Sequence, residues 1–317
     1  MAFNMDLKSR LKEAREISWR RFGKKITFYV PGMFNYYGIR GKYPALSITG
    51  SHCQLMCDHC QAKILEPMPS AHTPALLIKT CRSFKEKGCH GVLLSGGCDT
   101  AGRLPWHRFL DAIAEVKAET GLYISIHCGL LDKDTAVFLK QAGVDQALLD
   151  VIGDDETYQR IYHVDFGVEQ IRATMEALTG AGLALAPHII CGLNRGKIQS
   201  EMEALRMVAG FPVEQLVIVS LMAIRGTPLE NAATPAAEEI AEIIAEARVM
   251  MPDVPISLGC ARKRGDERVE LLAIEAGVNR MALPSEAAIE KAEEFGMEIR
   301  YQKTCCSVAK DFSALHW

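Results

Sequence analysis

The feature that most constrains this chain is a rhythm of eight short apolar runs separated by segments with helical spacing. The runs are ALSITG (45–50), GVLLSGG (91–97), LYISIHC (122–128), QALLDVIG (146–153), LALAPHIICG (183–192), QLVIVSLMAI (215–224), PISLGC (255–260) and NRMALPS (279–285). Most are rich in leucine or β-branched residues and bounded by Gly, Pro or Asp. Continuous apolarity without alternation is the mark of parallel strands covered on both faces. Between them lie helix-like stretches such as PALLIKTCRSFKEKG (74–88), DKDTAVFLKQAG (132–143), VEQIRATMEALTGAG (168–182) and AAEEIAEIIAEARVM (236–250), several closed by glycine. Eight strand–helix units in about 250 residues predict a (β/α)8 barrel of the TIM type. A shorter doubly wound sheet is the alternative, should the last two runs not be strands. The expected organisation is an amphipathic helix over roughly 5–20 within a lead-in of 1–44, a barrel over 45–296 and a tail over 297–317. No Pro/Gly/Ser-rich linker divides the chain.

Charge and hydropathy narrow the setting. A net charge of −3 gives no electrostatic reason to expect a nucleic-acid or anionic-membrane partner. No apolar run approaches the roughly 20 residues needed to span a bilayer. The first 23 residues carry charges throughout and lack the apolar centre of a secretory signal. A cytoplasmic location is expected, where reducing conditions disfavour structural disulfides. The 11 cysteines are therefore core residues, thiols or metal ligands.

Three of them, Cys53, Cys57 and Cys60, fall in ten residues, SHCQLMCDHC (51–60), with spacing Cys-x3-Cys-x2-Cys. In a parallel barrel the loop after the first strand belongs to the functional face. Thiolates suit zinc, copper(I) or iron–sulfur clusters, and a closed zinc site needs a fourth ligand at short spacing. His52 and His59 each adjoin a cysteine too closely to share a tetrahedral metal with it. Three thiolates instead suit three corners of a [4Fe–4S] cube with one iron left open. Cys98, Cys128, Cys191 and Cys260 also sit at strand carboxyl ends, whereas Cys81 and Cys89, in and beside a helix, read as packing residues.

The cysteine loop resembles the signature of the radical S-adenosylmethionine (SAM) enzymes. LLSGGC (93–98) is similar to the family's second-strand motif, with Gly96 and Gly97 in the matching positions and Cys98 where an acidic residue is common. IICGL (189–193) resembles the segment that packs on adenine, through Ile190 and Gly192. One departure is His59, which stands where an aromatic often precedes the last cysteine. The resemblance implies that SAM chelates the open iron and is cleaved to methionine and a 5′-deoxyadenosyl radical. That radical takes hydrogen from an unactivated C–H bond, and the protein binds, orients and excludes water.

The biotin-synthase-like branch is the most similar, over about 43–285. AGVDQALLDVIGDDETYQRIY (142–162), LMAIRGTPLEN (221–231) and ISLGCARKRGDERVELLAIEAGVNRMALPS (256–285) carry the likeness. It implies a ribose contact for Asp150, and it makes His163 a candidate for the cofactor carboxylate, where relatives use arginine. Sulfur-inserting members hold a second cluster, which in biotin synthase sits on three cysteines and an arginine. Leu94, Ser125, Ala186 and Cys260 stand at those positions here, so a biotin-type site and biotin synthesis are not expected. The vicinal Cys305 and Cys306 in RYQKTCCSVAKDF (300–312) are instead expected to cross the barrel mouth and meet Cys260. With Cys98 or Cys191 as a fourth ligand, they would hold an auxiliary iron–sulfur cluster.

The segment FYVPGMFNYYGIRGKYPALSITGSHCQLMCDHCQAKIL (28–65) further resembles a component of the two-protein lipoyl synthases of archaea and some bacteria. That implies sulfur insertion on an octanoylated lipoyl-carrier protein, a second radical SAM subunit as partner, and an electron donor such as ferredoxin or flavodoxin. The alternatives are a radical SAM mutase or cofactor maturase without sulfur insertion, or a non-catalytic iron–sulfur scaffold. Arg262, Lys263 and Arg264 read as a carboxylate or partner contact, or equally as a solvated loop. Tyr36, Tyr37 and Arg40 read as an N-terminal cover, Cys128 as wall or site, and His127 and His188 as core.

Overall fold

The computed structural model describes residues 6–314. Met5, the first residue of the expected helix, and residues 315–317 of the expected tail lie outside them. The N-terminal helix spans Leu7–Phe22, capped by the Asp6 carboxylate on the Ser9 N–H, and ends at Gly23. Twelve strands follow: β1 (Lys25–Tyr29), β2 (Asn35–Tyr36), β3 (Ile39–Arg40), β4 (Ala45–Ser47), β5 (Gly91–Ser95), β6 (Tyr123–His127), β7 (Gln146–Asp150), β8 (Ala184–Cys191), β9 (Leu216–Ser220), β10 (Ile256–Leu258), β11 (Arg280–Ala282) and β12 (Glu298–Gln302). β2 and β3 form a small antiparallel hairpin.

The other ten form one sheet in the order β12-β1-β11-β10-β9-β8-β7-β6-β5-β4. Every pairing in it is parallel. The eight apolar runs supply β4 to β11 in sequence order, the barrel order and not a doubly wound one. β1 and β12 are two strands beyond that expectation, and they extend the sheet past β11. The sheet curls until its margins meet, where the Lys42 N–H donates to the Lys303 carbonyl at 2.6 Å. Helices between the strands cover the outside. The wall side chains that face them, among them Leu46, Leu94, Ile124, Ile126, Leu185 and Ile218, form one continuous core. A smaller set faces the lumen: Tyr43, Ala45, Leu93, Leu148 and Ala186 enclose Val308 of the tail.

The tail departs from expectation. It does not cross the mouth but descends through the lumen to the floor. Gln146, the first residue of β7, donates to the Ser307 carbonyl at 2.6 Å and accepts from the Ala309 N–H at 3.0 Å. Arg280, the first residue of β11, donates to the Val308 carbonyl at 2.8 Å and to Gln215 at 2.7 Å. The stagger of the sheet causes this. The end of β12 lies level with Lys42, just before β4, so the chain leaving β12 enters the lumen near its lower end.

Candidate metal and cofactor site

The cysteine loop is a run of tight turns over β4. Cys57 accepts backbone hydrogen bonds from the Cys60 and Gln61 N–H groups at 3.1 and 2.9 Å, and Cys60 accepts from Lys63 at 2.8 Å. Met56, Gln61 and Ala62 hold positive φ of 45°, 45° and 59°, conformations that cost a non-glycine residue free energy and gather at functional loops. Cys57 and Cys60 are buried and Cys53 is half-buried. The donor atoms of Cys57, His59 and Cys60 all lie within 4.8 Å of one another. The turn therefore brings His59 closer to its neighbouring thiols than its adjacency in sequence led us to expect.

The electrostatics suit a cation. The hydrogen bond from Cys57, opposed by burial and aided by His59, lowers the Cys60 thiol to about 4, while that same bond and burial push Cys57 up. Burial works against charge on His59, but the Cys60 sulfur, Asp150 and Asp58 outweigh it and raise its pKa. The His59 ring packs on Tyr162 with centroids 5.3 Å apart, and its Nδ1 is buried without a partner among the described residues.

The second-strand motif closes one side. A Cβ on Gly97 would lie 2.4 Å from Cβ of Cys53 and 2.1 Å from the His52 carbonyl, so only glycine permits this approach. The Gly97 N–H donates to Thr49 Oγ1 at 2.7 Å. Gly192 sits at φ +78°, where a Cβ would strike Pro235 at 2.3 Å. Its N–H donates to Glu201 Oε1 at 2.7 Å. Burial raises the Glu201 carboxyl even though the N–H groups of Gly192 and Gln199 pull the other way.

A model of the radical SAM superfamily matches residues 47–208, just over half of the chain. The chain belongs to the radical SAM superfamily.

A model of the biotin and thiamin synthesis associated domain matches residues 217–316. Biotin synthase of Aromatoleum aromaticum is 28% identical over 244 residues, covering 74% of this chain and 73% of the relative. Biotin synthase of Beijerinckia indica is 27% identical over 249 residues, with 75% and 76% covered. Among solved structures, methylornithine synthase matches with a TM-score of 0.63 at 20% identity, over 94% of this chain and 90% of that one. HydG, a maturase of the [FeFe]-hydrogenase, gives 0.67 at 14% identity, over 94% and 70%. The chain is thus a biotin-synthase-like radical SAM enzyme, whose family implies a [4Fe–4S] cluster with SAM and a reductant. Convergent thiols, an orphaned imidazole nitrogen and a glycine cradle fit that group. No helix among the described residues is long and apolar enough to cross a membrane.

Other predicted site residues fall as follows. Asp150 ends β7 in the lumen, near enough to raise the pKa of His59, Tyr158 and Tyr162. His163 (φ +57°) faces the cysteine loop, with Nε2 2.8 Å from Asp58 Oδ1. Arg262 is buried and spent on Glu270 (2.7 Å) and on the carbonyls of Gly259 and Ala282. Tyr36 donates to the Pro284 carbonyl at 2.7 Å, while Tyr37 is exposed.

A second group of thiols lies lower in the lumen. Cys306 hydrogen-bonds to both Cys260 and Cys305, walled by Tyr29, Val217, Val219 and Ala282. Those bonds lower Cys305 to about 6 and also lower Cys260, while Cys306 rises. Arg264 donates to the Cys260 carbonyl at 2.8 Å. Neither expected fourth ligand joins them. Cys98 is bonded through its carbonyl to the Gln54 N–H at 2.8 Å, beside Cys53. Cys191 is buried in the layer between wall and helices, against Glu201 and Glu239. At the biotin-type positions Ser125 and Ala186 face the lumen, but Leu94 packs outward and its place is taken by Leu93, paired with Ser125. The Asp58–His163 pair, Thr49, Glu201 and the Arg280–Gln146 floor contacts were not foreseen. Only Glu201 had a local signal, a carboxylate that opens a helix directly after a loop.

Proposed function

We propose that this enzyme inserts sulfur into unactivated C–H bonds, drawing it from an auxiliary iron–sulfur cluster on Cys260, Cys305 and Cys306. One observation supports this above all: two parts of the chain far apart in sequence bring Cys306 against both Cys260 and Cys305 inside the lumen of a radical SAM barrel. A mutase or maturase needs no sacrificial sulfide. When bound, the SAM-loaded cluster supplies the radical. Cys53, Cys57 and Cys60 hold that cluster, with Gly96 and Gly97 on the methionine portion, Asp150 on the ribose, and Ile190 and Gly192 on adenine. His163 acts through Asp58, holding the cysteine loop in place. The closed floor and apolar wall keep water from the reactive species.

The narrower reading is lipoyl synthesis on an octanoyl-lysine carrier protein with a second radical SAM subunit, supported by the character of residues 28–65. Iron and sulfide counts on anaerobically reconstituted protein test the first step. About eight irons are expected for two cubes, and about four would return the chain to the mutase or maturase class. Cys305→Ala with Cys306→Ala should halve the iron yet leave reductive cleavage of SAM intact. Incubation with octanoylated carrier peptide, with and without a candidate second subunit, should add the mass of one or two sulfurs. Eight irons with no mass gain would keep sulfur insertion and reject this substrate.

A further inference from the structure

The cysteine loop also has an outer face. Met56 and Ile64 stand on it, 40% and 42% exposed, and the Gln61 side-chain amide between them donates to the Met56 carbonyl. Met56 is bonded in sequence to buried Cys57, and Ile64 follows buried Cys60 by four residues. Basic side chains flank the pair. Lys63 lies against the loop after β9, its Nζ 3.0 Å from where a Cβ on Gly226 would stand, beside exposed Arg225. At the other flank, the Asp58 N–H donates to the Ile161 carbonyl at 2.9 Å, tying the loop to the helix Asp155–Tyr162. Arg160 of that helix bonds to Asn194, which brings in exposed Arg195 and Lys197.

Lys63, Arg195, Lys197 and Arg225 make no ion pair among the described residues. The carboxylates nearby are mostly engaged: Asp58 by His163, Glu156 by Arg160 at 3.3 Å, and Glu230 by the Gly226 N–H at 2.6 Å. Glu66 is exposed. A chain of net charge −3 thus turns an excess of positive charge to solvent around its metal-binding loop. An apolar centre within a charged rim is the anatomy of a protein interface, and the sign of the rim selects an acidic partner.

We propose that this face is where the reductant docks, and that the reductant is an acidic one-electron carrier protein. Its negative surface meets Lys63, Arg195, Lys197 and Arg225, and an apolar contact over Met56 and Ile64 sets its redox centre against the cysteine loop. One electron leaves the reduced donor and enters the cluster on Cys53, Cys57 and Cys60, and no bond forms or breaks. Redox encounters of this kind bury less than about 1,200 Å², which lets the spent donor leave. The assignment rests on membership of the radical SAM superfamily and not on the sulfur-insertion reading.

Formation of 5′-deoxyadenosine by reconstituted full-length protein tests it, with reduced flavodoxin, reduced ferredoxin or dithionite as the source of electrons. Lys63→Glu/Lys197→Glu/Arg225→Glu should slow the reaction at limiting donor protein by about tenfold or more at low salt, the scale of electrostatic steering. Dithionite needs no docking face, so its rate should be unchanged. The parent's donor-driven rate should fall as ionic strength rises from about 0.05 to about 0.5 M, and the variant's should not. Ile64→Ser should keep that salt dependence but need severalfold more donor for half-maximal rate. Flavodoxin binding, followed by flavin fluorescence, should weaken as the rate does, a readout independent of iron content. Equal donor-driven rates and equal binding in parent and charge variant overturn the assignment. A charge variant that keeps donor-driven cleavage but loses turnover of the carrier peptide also overturns it, giving the face to the carrier or the second subunit.

Discussion

His127 and His188 face each other across the lumen with ring centroids 5.4 Å apart. Nδ1 of His188 lies 3.1 Å from the Ala186 carbonyl, which fixes that nitrogen as the protonated one and leaves Nε2 as an acceptor. Burial, reinforced by His127, lowers His188 to about 4, and burial also lowers His127. Both imidazoles are therefore neutral at physiological pH. An unfolded histidine protonates near 6.5. Between about 6.5 and 4 the unfolded chain thus binds a proton that native His188 refuses, and stability falls as pH drops through that window. The loss at pH 5 is about 2 kcal/mol from this residue, at roughly 1.4 kcal/mol per pH unit. His188→Gln should flatten the decline in melting temperature between pH 7 and pH 5. An unchanged slope would mean that the native imidazole is protonated.

At the scale of elements, β4 to β11 were legible because parallel strands buried on both faces must be continuously apolar, as GVLLS and QLVIVS are. β1 (KITFY) and β12 (EIRYQ) escaped because each opens on an exposed charge, Lys25 or Glu298, and reads as a surface segment. The cysteine loop was legible because its ligands are neighbours in sequence. Contacts between distant segments were not: Asp58 with His163, Gly192 with Glu201, and the tail with the floor. The tail shows the cost. Cys305 and Cys306 could be linked to Cys260 from residue type, but their route depends on sheet stagger, which no local pattern records. That route makes Arg280 a positioning residue for the lower thiols. Arg280→Met removes its bonds to Val308, Ala309 and Gln215 and should destabilise the fold by about 2 kcal/mol. Auxiliary iron should fall below about four per chain while reductive SAM cleavage persists. Full auxiliary occupancy in this variant would show that the tail is held from elsewhere.

Across the whole molecule, the two thiol sites lie at different heights of one lumen and do different structural work. The upper site draws its cysteines from one loop after β4, so metal there orders a segment that is already local. The lower site joins the end of β10 to the tail beyond β12, closing a loop of 45 residues from Cys260 to Cys305. That loop includes β11, β12 and the register of β1, the half of the sheet that meets the β4 margin through contacts such as Lys42–Lys303 and Gly32–Tyr43. A metal bound only by the folded chain stabilises it in proportion to how far binding exceeds dissociation, and a long closed loop adds lost unfolded-state entropy. Loading the lower site should therefore tighten the barrel as a whole. Reconstituted wild type should melt several degrees above reconstituted Cys305→Ala/Cys306→Ala, a wider gap than the one that truncating two buried thiols leaves between the apo proteins. Hydrogen exchange should place the added protection on β12, β1 and β11 and not on β5 to β7. An equal gap in apo and loaded proteins would assign the effect to packing of the two sulfurs. Protection confined to the cysteine loop would place all the iron at the upper site.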